Sequence, residues 1–284
     1  MNSHILNLMV ASLFFSIGIS FSQEKQPSRY THPIKCISHQ GEKLSAPSHS
    51  QASYRLAMER KADVMKLDVR FSKDGIAVLS HDGDLKNCFG WEVKIAEKSL
   101  EELREKNFKP VGGYDHEKLQ TLEEALTIIR DCPEFWIDTK TFPKNTLERI
   151  LAMFDKFGIA HSRLMLATGN ERALLYAKEH FPELRRVKHI YPQFIDKEKP
   201  LEYLMEQKEK FQLFGMNLPA KGFEEGPLNE EILQKLRGAG VWCSIWFVQS
   251  SEAAKRFSSI GADAFVTDNI RACRPFCRTP KPEK

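Results

Sequence analysis

The sequence predicts an α/β fold, a TIM (β/α)8 barrel with an antiparallel hairpin after the second strand. Three observations carry that expectation. Nine short apolar runs alternate with amphipathic helical segments, the pattern of a parallel sheet with crossover helices. One connection is too short for a parallel crossover, so one run is a hairpin return and eight parallel strands remain. The chain has 284 residues, which suits a barrel of about 250.

Taken in order, the first 22 residues contain no Asp, Glu, Lys or Arg, and residues 5–21 are almost unbroken apolar. With small Ser20 and Ser22 ahead of a cut before Gln23, residues 1–22 read as a signal peptide and 23–33 as a leader. An uncleaved anchor is the rival reading. Export, periplasmic or extracellular, is the expectation, with no stable membrane span once the signal is cleaved. The barrel is expected over 34–272, with strands at 34–38, 64–69, 76–80, 135–138, 164–167, 187–191, 214–218, 241–248 and 264–267. Ser99 and Thr121 begin capping boxes with Glu102 and Glu124. Asn145, Asn229 and Ser251 precede further helical runs, and Gly158 ends one. The tail, 273–284, contains Pro280 and Pro282 and is expected to fray.

Only residues 70–75 separate the second and third runs, and Asp74-Gly75 is a two-residue hairpin signal. Pairing Lys73 with Ile76 sets Asp68 opposite His81 and Lys66 opposite Gly83. Lys66, Asp68 and Arg70 then share one face of the strand, because side chains alternate with period two. Arg70 is read as a charge on the protruding hairpin, with a second phosphate contact as the alternative.

The 42% hydrophobic and 28% charged fractions exclude wholesale disorder. A net charge of +4 with interspersed signs makes no case for nucleic acid and suits a small anionic partner. The six cysteines permit disulfides in an exported protein, but their spacing determines no pairing; Cys36 and Cys243 also fit as core thiols. No spacing suggests a structural zinc.

In such a barrel, functional residues gather where strands end. His39 follows the first strand, Asp68 ends the second and His81-Asp82 ends the hairpin. Asp138 and Lys140 end the next strand, and Trp246 lies late in the seventh. Two imidazoles that titrate near neutrality suit an acid/base pair for phosphoryl transfer. His49, His116, His161, His180 and His189 are read as surface or internally satisfied residues.

These residues carry a resemblance. Ala62-Asp63-Val64-Met65-Lys66-Leu67-Asp68-Val69, then Ser72-Lys73-Asp74-Gly75 and Val78-Leu79-Ser80-His81-Asp82, resemble the glycerophosphodiester phosphodiesterase family's aD-x-x-E-x-D-v, TkDG and Vv-x-HD. Ser38-His39-Gln40-Gly41 stands for its HRG, Leu119 to Glu124 for its iPTLEE, and Asp138-Thr139-Lys140 for its E-x-K. Trp246-Phe247-Val248-Gln249 stands for its WTVN and Thr267-Asp268 for its terminal TD. The resemblance spans about residues 34–270 in the family's order. It implies His39 and His81 as acid/base pair, Asp68 and Asp138 as surviving metal ligands, and Lys140 as a phosphate or ligand-orienting contact. Lys66, Gln40 and Trp246 are further candidate substrate or phosphate contacts read from their place at the rim. The implied substrate is a small anionic phosphodiester or a phospholipid headgroup.

The departures matter as much. Gln40 replaces the family's arginine, Pro47-Ser48-His49-Ser50 loses a glutamate, Lys66 replaces the first metal-binding glutamate, and Asp138 shortens another. Three ligand carboxylates become two carboxylates and an ammonium. An ammonium about 4 Å from a divalent ion repels it by roughly 4 kcal/mol per unit of ionic charge at an effective dielectric of about 20. The favoured expectation is that no metal is required and Lys66 takes the ion's place, as a basic side chain does in bacterial phosphatidylinositol-specific phospholipases C. The alternatives are a metal-dependent enzyme in which Glu42 or Asp82 substitutes as a ligand for Ca or Mg, and an inactive barrel that binds a phosphorylated ligand. Residues 86–114 and 218–228 are expected to shape the pocket for the alcohol.

Overall fold

The protein is described by a computed structural model covering residues 32–277. The signal-peptide reading, the cut before Gln23, and Pro280 and Pro282 of the tail lie outside the described residues. The strands are β1 (Lys35–His39), β2 (Val64–Phe71), β3 (Ala77–Leu79), β4 (Asp84–Leu85), β5 (Trp91–Lys94), β6 (Glu134–Thr139), β7 (Leu164–Thr168), β8 (Arg185–His189), β9 (Gly215–Pro219), β10 (Trp242–Trp246) and β11 (Ala264–Thr267). Parallel pairing runs β1, β2, β6 to β11 in that order, and β11 pairs with β1 to close the barrel. The eight parallel strands expected from the sequence are present. Strands β4 and β5 form a separate small antiparallel pair. Among the described residues no helix is long and apolar enough to cross a membrane.

Period-two alternation sorts each strand between two environments. Cys36, Met65, Leu67, Phe135, Ile137, Leu164 and Leu166 point outward into the layer shared with the helices. Ile37, Val64, Trp136, Met165, Val187, Ala264 and Val266 form the barrel's apolar interior. Each such fully buried aliphatic chain stabilises the fold by about 1.5–3 kcal/mol. Trp136 satisfies its indole by donating from Nε1 to the Ala167 carbonyl at 2.9 Å. One step further along the same inward rows, the side chains become His39, Lys66 and Asp68, Asp138, and His189. The apolar floor carries the stability; the polar top is left for chemistry.

The helix starts follow the local signals. Ser99 and Thr121 both close capping boxes, and Asn229 caps Glu230–Gly238. The cap of Ser251–Ser259 is Ser250, one residue earlier than expected. Asn145, at φ 58°, begins its helix without a side-chain cap.

The hairpin corrects the expected register. Val69 pairs with Leu79, Arg70 with Val78 and Phe71 with Ala77, one residue away from the expected alignment. Ser80, not His81, therefore lies across from Asp68, and its N–H donates to the Asp68 carbonyl at 3.0 Å. The cause is the turn. Ser72 and Ile76 close it through the Ser72 N–H to Ile76 carbonyl bond at 3.0 Å, leaving three loop residues. Gly75 adopts φ +81°, the left-handed residue that completes a three-residue loop. Ser72 Oγ reinforces it by donating to Asp74 at 2.5 Å and accepting from Ile76 N–H at 3.0 Å. All six cysteines are free thiols, and Cys36 and Cys243 are buried in the core.

Candidate active site

Strand pairing places His39 beside Lys66 across β1 and β2, and Asp68 beside Asp138 across β2 and β6. The Lys66 ammonium donates to Asp68 and, at 3.1 Å, to Asp138 Oδ2. Lys140, just past β6, approaches Asp138 Oδ2 at 2.7 Å and Asp68 Oδ1 at 3.3 Å. Two carboxylates and two ammoniums thus form a compact neutral cluster. Burial opposes ionisation of Asp68, but Lys66, Lys140 and His49 outweigh it and hold its carboxyl well below the usual carboxylate range. Asp138 is lowered the same way, against burial, by Lys66, His189 and Lys140. Burial disfavours charge on Lys140 too, yet Asp68 and Asp138 raise it above an ordinary lysine.

His39 is buried and nearly dry. Its Nδ1 lies 2.7 Å from Asp268 Oδ1, and Gln40 Nε2 is 3.2 Å from its Nε2. Asp268 is itself fixed: Gln249 donates to its Oδ2 at 2.6 Å and accepts from its N–H at 2.9 Å. Burial lowers the His39 pKa to about 4, against the opposing hydrogen bond that the ring donates to Asp268. At neutral pH the ring is uncharged, with Nδ1–H on the carboxylate and the Nε2 lone pair accepting from the Gln40 amide. His81 differs. Its side chain is 52% exposed, and Nδ1 lies 2.9 Å from Asp82 Oδ1. The Arg70 guanidinium donates to the Ser80 and His81 carbonyls at 3.2 and 2.7 Å. Arg70 is therefore no loose hairpin charge but the tie that holds the backbone of His81 in place.

The mouth encloses a cavity of about 140 Å³. His39, His81, Lys66, Lys140 and Asp138 line it together with the aromatic side chains of Tyr191, Trp246 and Phe247. Phe247 also packs on the His39 ring at 4.5 Å. The structure thus gathers the sequence-derived residues, with Asp68 beneath and Gln40 against His39. Two of the histidines read as surface or internally satisfied residues lie at this site, and both ring nitrogens of each are hydrogen-bonded. His49 is buried, with Nε2 donating to Asp68 Oδ2 at 2.9 Å and Nδ1 against the Tyr54 hydroxyl at 2.6 Å. His189 lies 3.6 Å from Asp138 Oδ2 and lines the cavity. Burial lowers the pKa of both rings, that of His189 to about 4. His189 was discoverable: it closes a strand on the inward row of Val187. His49 carried no such signal, because it sits in a loop.

Glu42 cannot serve as a substitute ligand. Its Oε1 pairs with Arg60 at 2.5 Å and its Oε2 accepts from the Ile270 N–H at 3.2 Å. The reason is local. Gln40 and Gly41 take left-handed φ values of 66° and 83° and swing the chain away from the mouth. Gly41 passes so close to Ser53 that a Cβ would meet its Oγ at 2.3 Å, so only glycine fits. Asp82 is held by His81 and by Asn87 Nδ2 at 2.8 Å. Among the described residues, no three His, Cys, Asp or Glu side chains converge to hold a metal ion. A hard cation needs several oxygen donors with net negative charge, and here Lys66 and Lys140 already occupy the two carboxylates. The donor set does not fit a divalent cation. Nor do residues 86–114 or 218–228 line the mouth cavity.

The chain resembles several known proteins in sequence and fold. A probable glycerophosphodiester phosphodiesterase 1 of Mycobacterium tuberculosis is 28% identical over 142 residues, 45% of this chain and 52% of that protein. The chain therefore matches about half the length of that relative. A glycerophosphodiester phosphodiesterase of Caldanaerobacter subterraneus subsp. tengcongensis is 22% identical over 82% of this chain and 93% of its own length. In fold, the barrel superposes on an Oleispira antarctica phosphodiesterase solved in complex with the product sn-glycerol-3-phosphate, with a TM-score of 0.73. That match covers 86% of this chain and 96% of the other, at 23% identity. The model of the Glycerophosphoryl diester phosphodiesterase family matches residues 39–272, and this chain belongs to that family.

Proposed function

We propose that the protein cleaves glycerophosphodiesters at this mouth without a metal, with Lys66 standing where the family's ion would be. The observation that carries the reading is the Lys66 ammonium lying between Asp68 and Asp138, within reach of an anion in the cavity. An ammonium has three donors, and the two aspartates take two of them. The remaining donors of Lys66 and Lys140 point positive charge at the phosphoryl oxygens, where charge builds up in the transition state.

His39 acts as general base. Neutral at pH 7 and oriented by Asp268, it accepts a proton at Nε2 once the substrate hydroxyl replaces the Gln40 amide there. His81, on the solvent side of the same cavity, donates a proton to the leaving alcohol. Without an ion to acidify water, an adjacent hydroxyl of the glycerol is the better nucleophile. Its effective molarity, of the order of 10⁵ M or more when well oriented, replaces what an ion supplies. The oxygen–phosphorus bond to that hydroxyl forms as the bond to the alcohol breaks, giving a cyclic phosphate. Glycerol 3-phosphate bound to the Oleispira relative supports a glycerol phosphate half for the substrate here.

The test is cleavage of glycerophosphocholine, which carries the adjacent hydroxyl, with and without chelator. Turnover indifferent to chelator is expected. Activity that chelator abolishes and calcium or magnesium restores would refute the lysine reading, and no turnover at all would leave a binding protein.

A further inference from the structure

On the far side of Tyr191 lies a second and larger cavity, of about 380 Å³. Its walls come from the turn after β7, from β8 and its following loop, and from the helix Pro200–Phe211. His189 and Tyr191 line both cavities, so the two spaces are neighbours with one shared wall. The Tyr191 ring stands edge-on to Trp246 at 6.0 Å on the mouth side and to Phe194 at 6.3 Å. Gly169 makes room for it: a Cβ there would meet the Tyr191 hydroxyl at 2.7 Å.

The charged lining is unbalanced. Lys188 Nζ lies 2.5 Å from Glu171 Oε1 and Lys210 Nζ 2.9 Å from Glu171 Oε2. Two ammoniums share one carboxylate, leaving one positive charge in excess. The Lys188 side chain is only 7% exposed, so water hydrates its charge poorly. As a mere tie between helices, the triad would account for Glu171 but not for the surplus cation or for the open space against aromatic rings.

We infer that this cavity receives the alcohol half of the substrate and that this alcohol is a phosphorylated polyol. The inference rests on the phosphodiesterase reading of the mouth and adds the substrate class to it. With the scissile phosphorus between His39 and Lys66, the alcohol passes Tyr191 and its apolar ring face meets the aromatic wall. Its phosphomonoester carries a charge of about −1.5 to −2 near pH 7, so it more than offsets the surplus positive charge of Lys188 and Lys210, in hydrogen bonds strengthened by ionisation.

The experiment compares glycerophosphoinositol 4-phosphate with glycerophosphoinositol, in the wild type and in Lys210→Gln, whose side chain is half exposed in the native protein. The wild type should favour the phosphorylated substrate about tenfold or more in kcat/KM, through KM, the gain of one charge-assisted contact. Lys210→Gln should bring that ratio close to one. Calorimetry with inositol 1,4-bisphosphate and inositol 1-phosphate gives a readout independent of turnover. If no diester is cleaved, the phosphodiesterase reading fails on its own. Tighter binding of the bisphosphate, lost in Lys210→Gln, would then still uphold the cavity. Equal handling of the two ligands by the wild type, or a preference that Lys210→Gln leaves intact, overturns the inference.

Discussion

Replacing Lys66 by glutamate should create a calcium site at the mouth of this barrel. In the native cluster, Asp68 and Asp138 are balanced by Lys66 and Lys140. Lys66→Glu leaves three carboxylates facing one ammonium. Lys66 contacts Asp138 at 3.1 Å, and a pair at that distance interacts by roughly 5 kcal/mol at an effective dielectric of about 20. Burial of an uncompensated charge sets the net loss, about 3–5 kcal/mol for the metal-free variant, partly relieved by protonation of one carboxyl. For a barrel of this size the melting temperature should fall by about 10 °C. At about 10 mM calcium, a hundredfold above a Kd near 0.1 mM, binding returns about 2.7 kcal/mol and most of that fall. Thermal melts of wild type, Lys66→Glu and Lys66→Gln in calcium and in chelator make the comparison. The wild type and Lys66→Gln should be indifferent. A folded Lys66→Glu protein whose melting point calcium does not move would refute the placement of the amine in the ion's seat. Should that variant not accumulate, refolding from denaturant with and without calcium gives the same comparison.

His39→Ala and His81→Ala should each lower kcat by at least about a hundredfold on an alcohol leaving group. They should differ in stability, since His81 is half exposed and its loss should stay within about 0.5 kcal/mol, whereas His39 is buried and bonded to Asp268. Equal turnover in either variant and wild type would remove that residue from the chemistry. Asp268→Asn should leave KM nearly unchanged and lower kcat, by freeing the ring to adopt the wrong tautomer; a purely structural role would show in the melting point instead. The buried neutral state of His39 also sets a pH dependence. Its folded pKa is about 4 against 6.5 unfolded, so below pH 6.5 the unfolded chain binds the extra proton. The stability it contributes is complete above pH 6.5 and is lost as pH falls to about 4, by roughly 3 kcal/mol in all. Denaturant melts of wild type and His39→Gln across that window should diverge at high pH and converge at low pH; parallel curves would contradict a neutral buried ring.

Much of this molecule is legible in its sequence, because strand alternation is a local property. Period two by itself puts Lys66 and Asp68 on one face of their strand, and a strand-end position puts Asp138 at the same rim. The short 70–75 connection separated the hairpin return from the eight parallel strands, and the motif order pointed to the family. What remained belonged to contacts between distant segments. One serine hydroxyl and a left-handed glycine moved the hairpin by a residue, since turn geometry sets register and Asp-Gly alone permits more than one loop. Loop side chains have no period, so only the folded chain could send Glu42 back to Arg60 and bring His49 onto Asp68. The cavity beyond Tyr191 arises where a strand, a turn and a helix far apart in sequence enclose a space that none of them encodes alone.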